Sequence, residues 1–196
     1  MYEAQKFEDL IGLEGFSEKL LRNHFTLYEG YVTNVNKVSD ALAQLAKEDK
    51  LATPEYAELK RRFGWEFDGM RMHELYFGNL MKGGSELSDE MELKKKLEEN
   101  FGSFENWLKD FKATGAMRGI GWVVLYYDQE GDRLFNAWIN EHDGGHLTTC
   151  VPLLIMDVFE HAYMLDYETK KAEYIESFIK AICWHVVNAR FKQAQA

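Results

Sequence analysis

Gly121-Trp122-Val123-Val124-Leu125-Tyr126-Tyr127 is an unbroken apolar and aromatic run, and the chain changes character at it. A run this short, followed by the turn-forming Asp128–Asp132 with Gly131, reads as a buried strand. Arg133–Ile139 reads as the returning strand of a hairpin. After a polar loop, Asn140–His146, the segment Leu147–Met156 reads as a third strand. Before Ile120 the apolar spacing is helical. Ser17 caps a stretch through Leu20, Leu21, His24, Phe25, Tyr28, Val32, Val35 and Val38 to about Lys47, with Gly30 expected to disturb it. Thr53-Pro54 opens a second helix, expected to stop near Phe63-Gly64. An aromatic-rich third segment, Trp65–Met81, closes at Gly83-Gly84. A charged amphipathic helix runs from Ser88 to Asn100, and Ser103 caps another that reaches about Ala116. Val158–Lys192 is helical again, with a break near Tyr167–Thr169. Helices, then three strands, then helices indicate an α+β fold. The expected division is an N-terminal helical hairpin over residues 1–84 and a C-terminal region over 85–196, a three-stranded antiparallel sheet with helices.

Composition narrows the function classes. Of 196 residues, 46% are hydrophobic and 14% aromatic, ample for a packed interior. The formal net charge is -10 and no basic stripe stands out; Lys94-Lys95-Lys96 is flanked by glutamates. Such a chain is a poor nucleic-acid binder, and it repels anions at long range, so any anion chemistry needs local positive charge. Met1–Leu10 has no apolar core of a secretion signal, and no window approaches the ~20 apolar residues that span a bilayer. A soluble, cytoplasmic protein without a membrane partner is the expectation. Cys150 and Cys183 lie in apolar surroundings, outside any CxxC pair, and read as two buried free thiols.

Four side chains suggest chemistry. In Asp157-Val158-Phe159-Glu160-His161 an aspartate and a histidine stand four apart, directly after an apolar strand. On a helix both would share one face, and a carboxylate with an imidazole at that spacing can chelate a metal. The same residues also fit a helix start, with Asp157 as N-cap and Glu160 three later. His24 and His73 each lie on an apolar helix face, where a lone histidine is either a hydrogen-bonded core residue or a ligand. Three imidazoles and one carboxylate with an open position would suit iron, manganese or zinc. Spacing alone does not bring these distant residues together.

The segment Asp157-Val-Phe-Glu-His-Ala-Tyr163 resembles the D-x-W-E-H-A-Y signature of the iron/manganese superoxide dismutase family, with Phe159 in place of the usual tryptophan. The likeness extends through Leu13-Glu-Gly-Phe-Ser17, Tyr31-Val-Thr-Asn-Val-Asn36, Phe101-Gly-Ser-Phe104, Gly119-Ile-Gly-Trp122 and Pro152-Leu-Leu154, and so covers nearly the whole chain. It implies one iron or manganese ion per chain, conversion of superoxide to oxygen and hydrogen peroxide, and His24, His73, Asp157 and His161 as ligands. The first ligand carries an alternative. The family's first histidine lies eight residues before its gateway tyrosine, whereas His24 lies seven before Tyr31, so an ungapped alignment puts Asn23 there. His24 is preferred because imidazole is the better ligand, with one residue deleted from a bulged helical turn.

Further roles follow from the same resemblance. Tyr31 and a histidine standing where relatives carry glutamine would relay protons, and Trp122 would wall the pocket. His142 is the candidate for that histidine, with His146 as the neighbouring alternative; the other glutamine position of the family is Gly69 here. Leu27, Tyr28 and Met164 replace a family histidine and tyrosine that bond across a dimer. Glu160 is expected to pair with His161 of a second copy, and reciprocally, which implies a homodimer or higher homo-oligomer. A non-catalytic protein on the same fold is the rival expectation.

Overall fold

The computed structural model describes residues 1–195. A single 3-10 turn, Glu8–Leu10, leads into α1 (Glu18–Lys47). Ser17 caps α1 as expected, its hydroxyl accepting the Leu20 N–H. The helix runs through Gly30 without a break. Leu20, Leu21, His24, Tyr28, Val32, Val35, Val38, Leu42 and Leu45 form its buried stripe, so packing overrides the intrinsic cost of one glycine.

The second helix corrects the sequence reading. α2 spans Pro54–Gly78 as one element, with Thr53 as cap and Pro54 at its first position, and Gly64 does not end it. The buried face of its second half (Glu66, Gly69, Met70, Met72, His73, Tyr76, Phe77) lies against α1 in an antiparallel hairpin. α3 (Glu92–Phe101) starts four residues later than Ser88. It ends at Gly102, whose φ of +82° suits a left-handed helix cap. α4 (Phe104–Gly115) is capped by Ser103.

The sheet has the order β2-β1-β3, all antiparallel, with β1 (Gly121–Asp128), β2 (Arg133–Asn140) and β3 (Val151–Asp157). β1 is central, which explains its continuous apolar run. β2 is an edge strand and mixes buried with exposed residues. β3 begins later than Leu147 and runs one residue further, to Asp157. The β1–β3 register sets Trp122 opposite Asp157.

The last segment is broken more often than expected. A 3-10 turn, Glu160–Ala162, precedes α5 (Met164–Tyr167), α6 (Lys171–Ala181) and α7 (Trp184–Ala194). Between α6 and α7, Ile182 forms a bridge with Leu80, the residue after the α2 C-cap Asn79. The cysteines are free but only partly buried, so the expectation of full burial fails. No helix among the described residues is long and apolar enough to cross a membrane.

Asn79 ties the helical hairpin to the sheet. It is fully buried; its amide donates to the Tyr76 and Ile155 carbonyls, and its Oδ1 accepts the Ile155 N–H. Arg190 of α7 donates to the carbonyls of Leu75 and Leu153 beside it. We expect Asn79→Ala to lower stability by about 2–4 kcal/mol, because several buried backbone groups lose their partner at once. Urea unfolding should show a lower midpoint at unchanged slope. An unchanged midpoint would mean the link contributes nothing.

Candidate metal centre

Four elements place four donor groups around one point. His24 comes from α1, His73 from α2, Asp157 from the end of β3, and His161 from the 3-10 turn that follows. One donor atom from each residue lies within 4.8 Å of all the others. Nε2 of His24 and Nε2 of His161 are each 3.1 Å from Asp157 Oδ2, and Nε2 of His73 is 3.7 Å from it. His24, His73 and Asp157 are buried, and His161 keeps 23% of its side chain exposed. Asn23, the alternative first ligand, is exposed, whereas His24 is buried.

Asp157 is held for this task. Its Oδ1 accepts the Phe159 N–H at 2.8 Å, which leaves Oδ2 to the imidazoles, and its carbonyl accepts the Tyr174 hydroxyl. The helix-cap reading of Asp157 and Glu160 fails: Asp157 is still in the strand, and its side chain bonds the backbone two residues on. Burial alone would raise its carboxyl pKa. The His161 and His24 imidazoles outweigh that and hold it well below the usual carboxylate range. Burial depresses both His24 and His73, so both favour the neutral, ligating form.

His73 tests whether a cation fits. Its Nδ1 is 2.5 Å from the Gly69 carbonyl, which can only accept, so the proton sits on Nδ1. Nε2 then presents a lone pair to the cluster, and it is one of the two buried side-chain polar atoms without a hydrogen-bond partner among the described residues. An orphaned lone pair facing two further imidazoles and a carboxylate fits a bound metal ion. The Gly69 bond is the outer support that fixes a metal-binding histidine's tautomer.

A second set of groups surrounds the cluster. Tyr31 stacks on His73, with ring centroids 5.1 Å apart, and its hydroxyl lies 2.7 Å from His142 Nε2. His142 is fully buried although its loop is polar, and burial pushes its pKa down to about 4. Its Nδ1 receives the Trp122 indole N–H at 3.1 Å. Trp122 also meets His73 edge-on, at 4.9 Å between centroids. His146 lies outside: it is 2.8 Å from the His142 carbonyl and 2.8 Å from the Tyr126 hydroxyl, and so holds the loop. Gly69 has no side chain because Tyr31 fills the space; a Cβ there would sit 2.6 Å from the Tyr31 ring.

Two neighbours complete the surroundings: Trp65 was not singled out from the sequence, and Phe159 was marked only as replacing the tryptophan of the signature. Trp65 meets His142 edge-on at 4.5 Å, bonds Glu141 through its indole, and carries the Arg62 guanidinium 3.8 Å over its ring. Its position was readable, since Trp65, Gly69 and His73 follow at four-residue steps on one helix face. Phe159 stacks between His142 and His161 at 4.8 and 5.1 Å. No spacing signals that contact.

Residues 89–190 match the family of iron/manganese superoxide dismutases, C-terminal domain. Over 187 residues the chain is 38% identical to the iron superoxide dismutase of Aquifex pyrophilus, covering 93% of this chain and 87% of the relative. It is 32% identical over 180 residues to a manganese superoxide dismutase of Haloferax volcanii, covering 91% and 88%. To the iron superoxide dismutase of Tetrahymena pyriformis it is 33% identical, covering 88% and 89%.

Proposed function

Since the chain belongs to the iron/manganese superoxide dismutase family, we infer that His24, His73, Asp157 and His161 hold the iron or manganese ion with which it disproportionates superoxide. The protein is an oxidoreductase that converts superoxide to oxygen and hydrogen peroxide. The observation that carries the ligand assignment is the convergence of four donor atoms around the unpartnered His73 Nε2. The metal supplies the one-electron exchange, which zinc cannot.

The protein's own groups handle charge and protons. Asp157 offsets the cation's charge, and its second oxygen is kept occupied by the Phe159 N–H. His24 and His73 stay neutral because they are buried, so they ligate without competing protons. The half-buried Tyr31 hydroxyl stays protonated, because burial and the Asp157 charge raise its pKa well above neutral. It is therefore a proton donor to a dioxygen anion leaving as peroxide. His142 orients Tyr31, and Trp122 with Phe159 excludes water. In a chain of net charge -10, Arg62 over Trp65 is already paired with the buried Glu66 at 2.7 Å, so the positive charge that draws an anion would come from the bound cation.

We also assign a homo-oligomeric contact to the face around His161. Glu160 is exposed and makes no ion pair among the described residues, and exposed Leu27, Met164 and Leu165 surround the same concavity. Reciprocal pairing of Glu160 in one copy with His161 in the other would cover this face. Leu27 and Met164, which cannot form a polar bond across it, would pack instead.

The first ligand separates the assignments most sharply. His24→Ala should lose its iron or manganese and its activity, while Asn23→Ala should keep both. Metal analysis of the two variants, purified alongside wild type, decides this. Metal retained in His24→Ala and lost in Asn23→Ala would reverse the assignment.

A further inference from the structure

The segment Tyr2–Phe7 has no helix or strand of its own, yet it is tied to both helices of the hairpin. Both backbone polar groups of Tyr2 meet the Asn36 side chain of α1. The Tyr2 N–H donates to Oδ1 at 2.8 Å, and the Tyr2 carbonyl accepts from Nδ2 at 2.9 Å. The Gln5 N–H donates to the Tyr28 hydroxyl oxygen at 2.9 Å, and that hydroxyl donates to Glu74 Oε1 of α2 at 3.0 Å. The other Glu74 oxygen accepts from Arg71 at 2.5 Å, and the Arg71 guanidinium lies 5.1 Å over the Tyr2 ring. At the inner end Phe7 packs on Phe77, with centroids 4.9 Å apart, and Phe77 meets His24 edge-on at 4.8 Å.

Tyr28 is the centre of these links, and its side chain has no exposed surface. A core phenylalanine would pack the same ring. The hydroxyl adds one bond to the segment and one to the residue beside a ligand. Tyr28 stands one helical turn after His24, and Glu74 directly follows His73. We propose that Tyr28 is a positioning residue that straps Tyr2–Phe7 across α1 and α2, and that this strap holds the His24 and His73 turns together and slows loss of the ion. The proposal rests on the metal-site reading given above. An ion leaves when its ligands separate, and local opening of the backbone around them costs less than global unfolding. A strap that joins the ligand-bearing turns of two helices raises the cost of that opening.

The test is release of manganese from the loaded full chain into excess EDTA, with urea unfolding and hydrogen exchange of residues 2–7 measured on the same samples. Tyr28→Phe keeps the ring and removes the hydroxyl. It should release manganese about tenfold faster, the effect of one lost buried hydrogen bond, and expose the Gln5 amide to exchange. Asn36→Ala frees the outer end of the segment without touching the core, and should move both readouts the same way by a smaller factor. Asp132→Ala is the comparison for stability alone. It breaks bonds to Lys96 and Tyr127, outside the hairpin, and should lower the urea midpoint with release unchanged. Release at the wild-type rate in Tyr28→Phe overturns the strap, and so does equally fast release in Asp132→Ala at equal loss of stability. Should Tyr28→Phe not fold, Asn36→Ala decides by the same criterion. A wild type that takes up neither manganese nor iron contradicts the metal-site reading itself, and the strap's role falls with it.

Discussion

Asp157→Asn should fold, lose its metal and lose its activity. The amide keeps the size of the carboxylate and can still accept the Phe159 N–H, so the turn after β3 survives. What disappears is the negative charge at the point where three Nε2 atoms converge. Removing one charge from a buried ionic set costs about 3–5 kcal/mol, on the order of 10²–10⁴ in metal affinity. Asp157→Ala should do the same and also destabilise the fold, since Phe159 N–H loses its partner. The measurement is metal content by elemental analysis, with urea unfolding in parallel. Full metal loading and undiminished activity in Asp157→Asn would show that this carboxylate is not a ligand.

Stripping the metal from wild type should lower its melting temperature by about 10 °C. A ligand present at about a thousand times its dissociation constant stabilises the native state by ~4 kcal/mol. For a domain of this size each kcal/mol is worth about 2–4 °C. The energy resides at the junction of α1, α2, the end of β3 and the following 3-10 turn, so the ion joins both halves of the chain. Calorimetry with and without chelator checks this. Zinc added back should restore most of the lost stability and none of the activity, because holding an ion and exchanging an electron are separate tasks. A melting temperature indifferent to chelation would mean that no ion is held there.

The α+β order was legible because its signals are local. The short Gly121–Tyr127 run, followed by a turn, reads as a buried strand and is one, and Ser17, Thr53-Pro54 and Ser103 mark real helix starts. Gly30 and Gly64 misled because a long apolar stripe packed on a partner helix tolerates a glycine, and local propensity does not register that packing. The later start of β3, after Cys150, and the extra break at Ile182 depend on pairing with distant residues, Tyr127 and Leu80. For the site, residue spacing left Asp157 divided between cap and ligand, and left His24 and His73 as core histidines or ligands. Only the resemblance joined them. The contacts that give direction to the site are Gly69 carbonyl to His73, Trp122 to His142, and Phe159 between His142 and His161. Of these, only the first joins residues one helical turn apart.

The most direct test of the central claim is to follow superoxide consumption by purified wild type of known iron and manganese content. One redox metal held by His24, His73, Asp157 and His161 predicts close to one iron or manganese ion per chain. It also predicts decay far above background, with oxygen and hydrogen peroxide formed in equal amounts. A folded protein that carries its full metal and leaves superoxide decaying at the background rate would contradict the account.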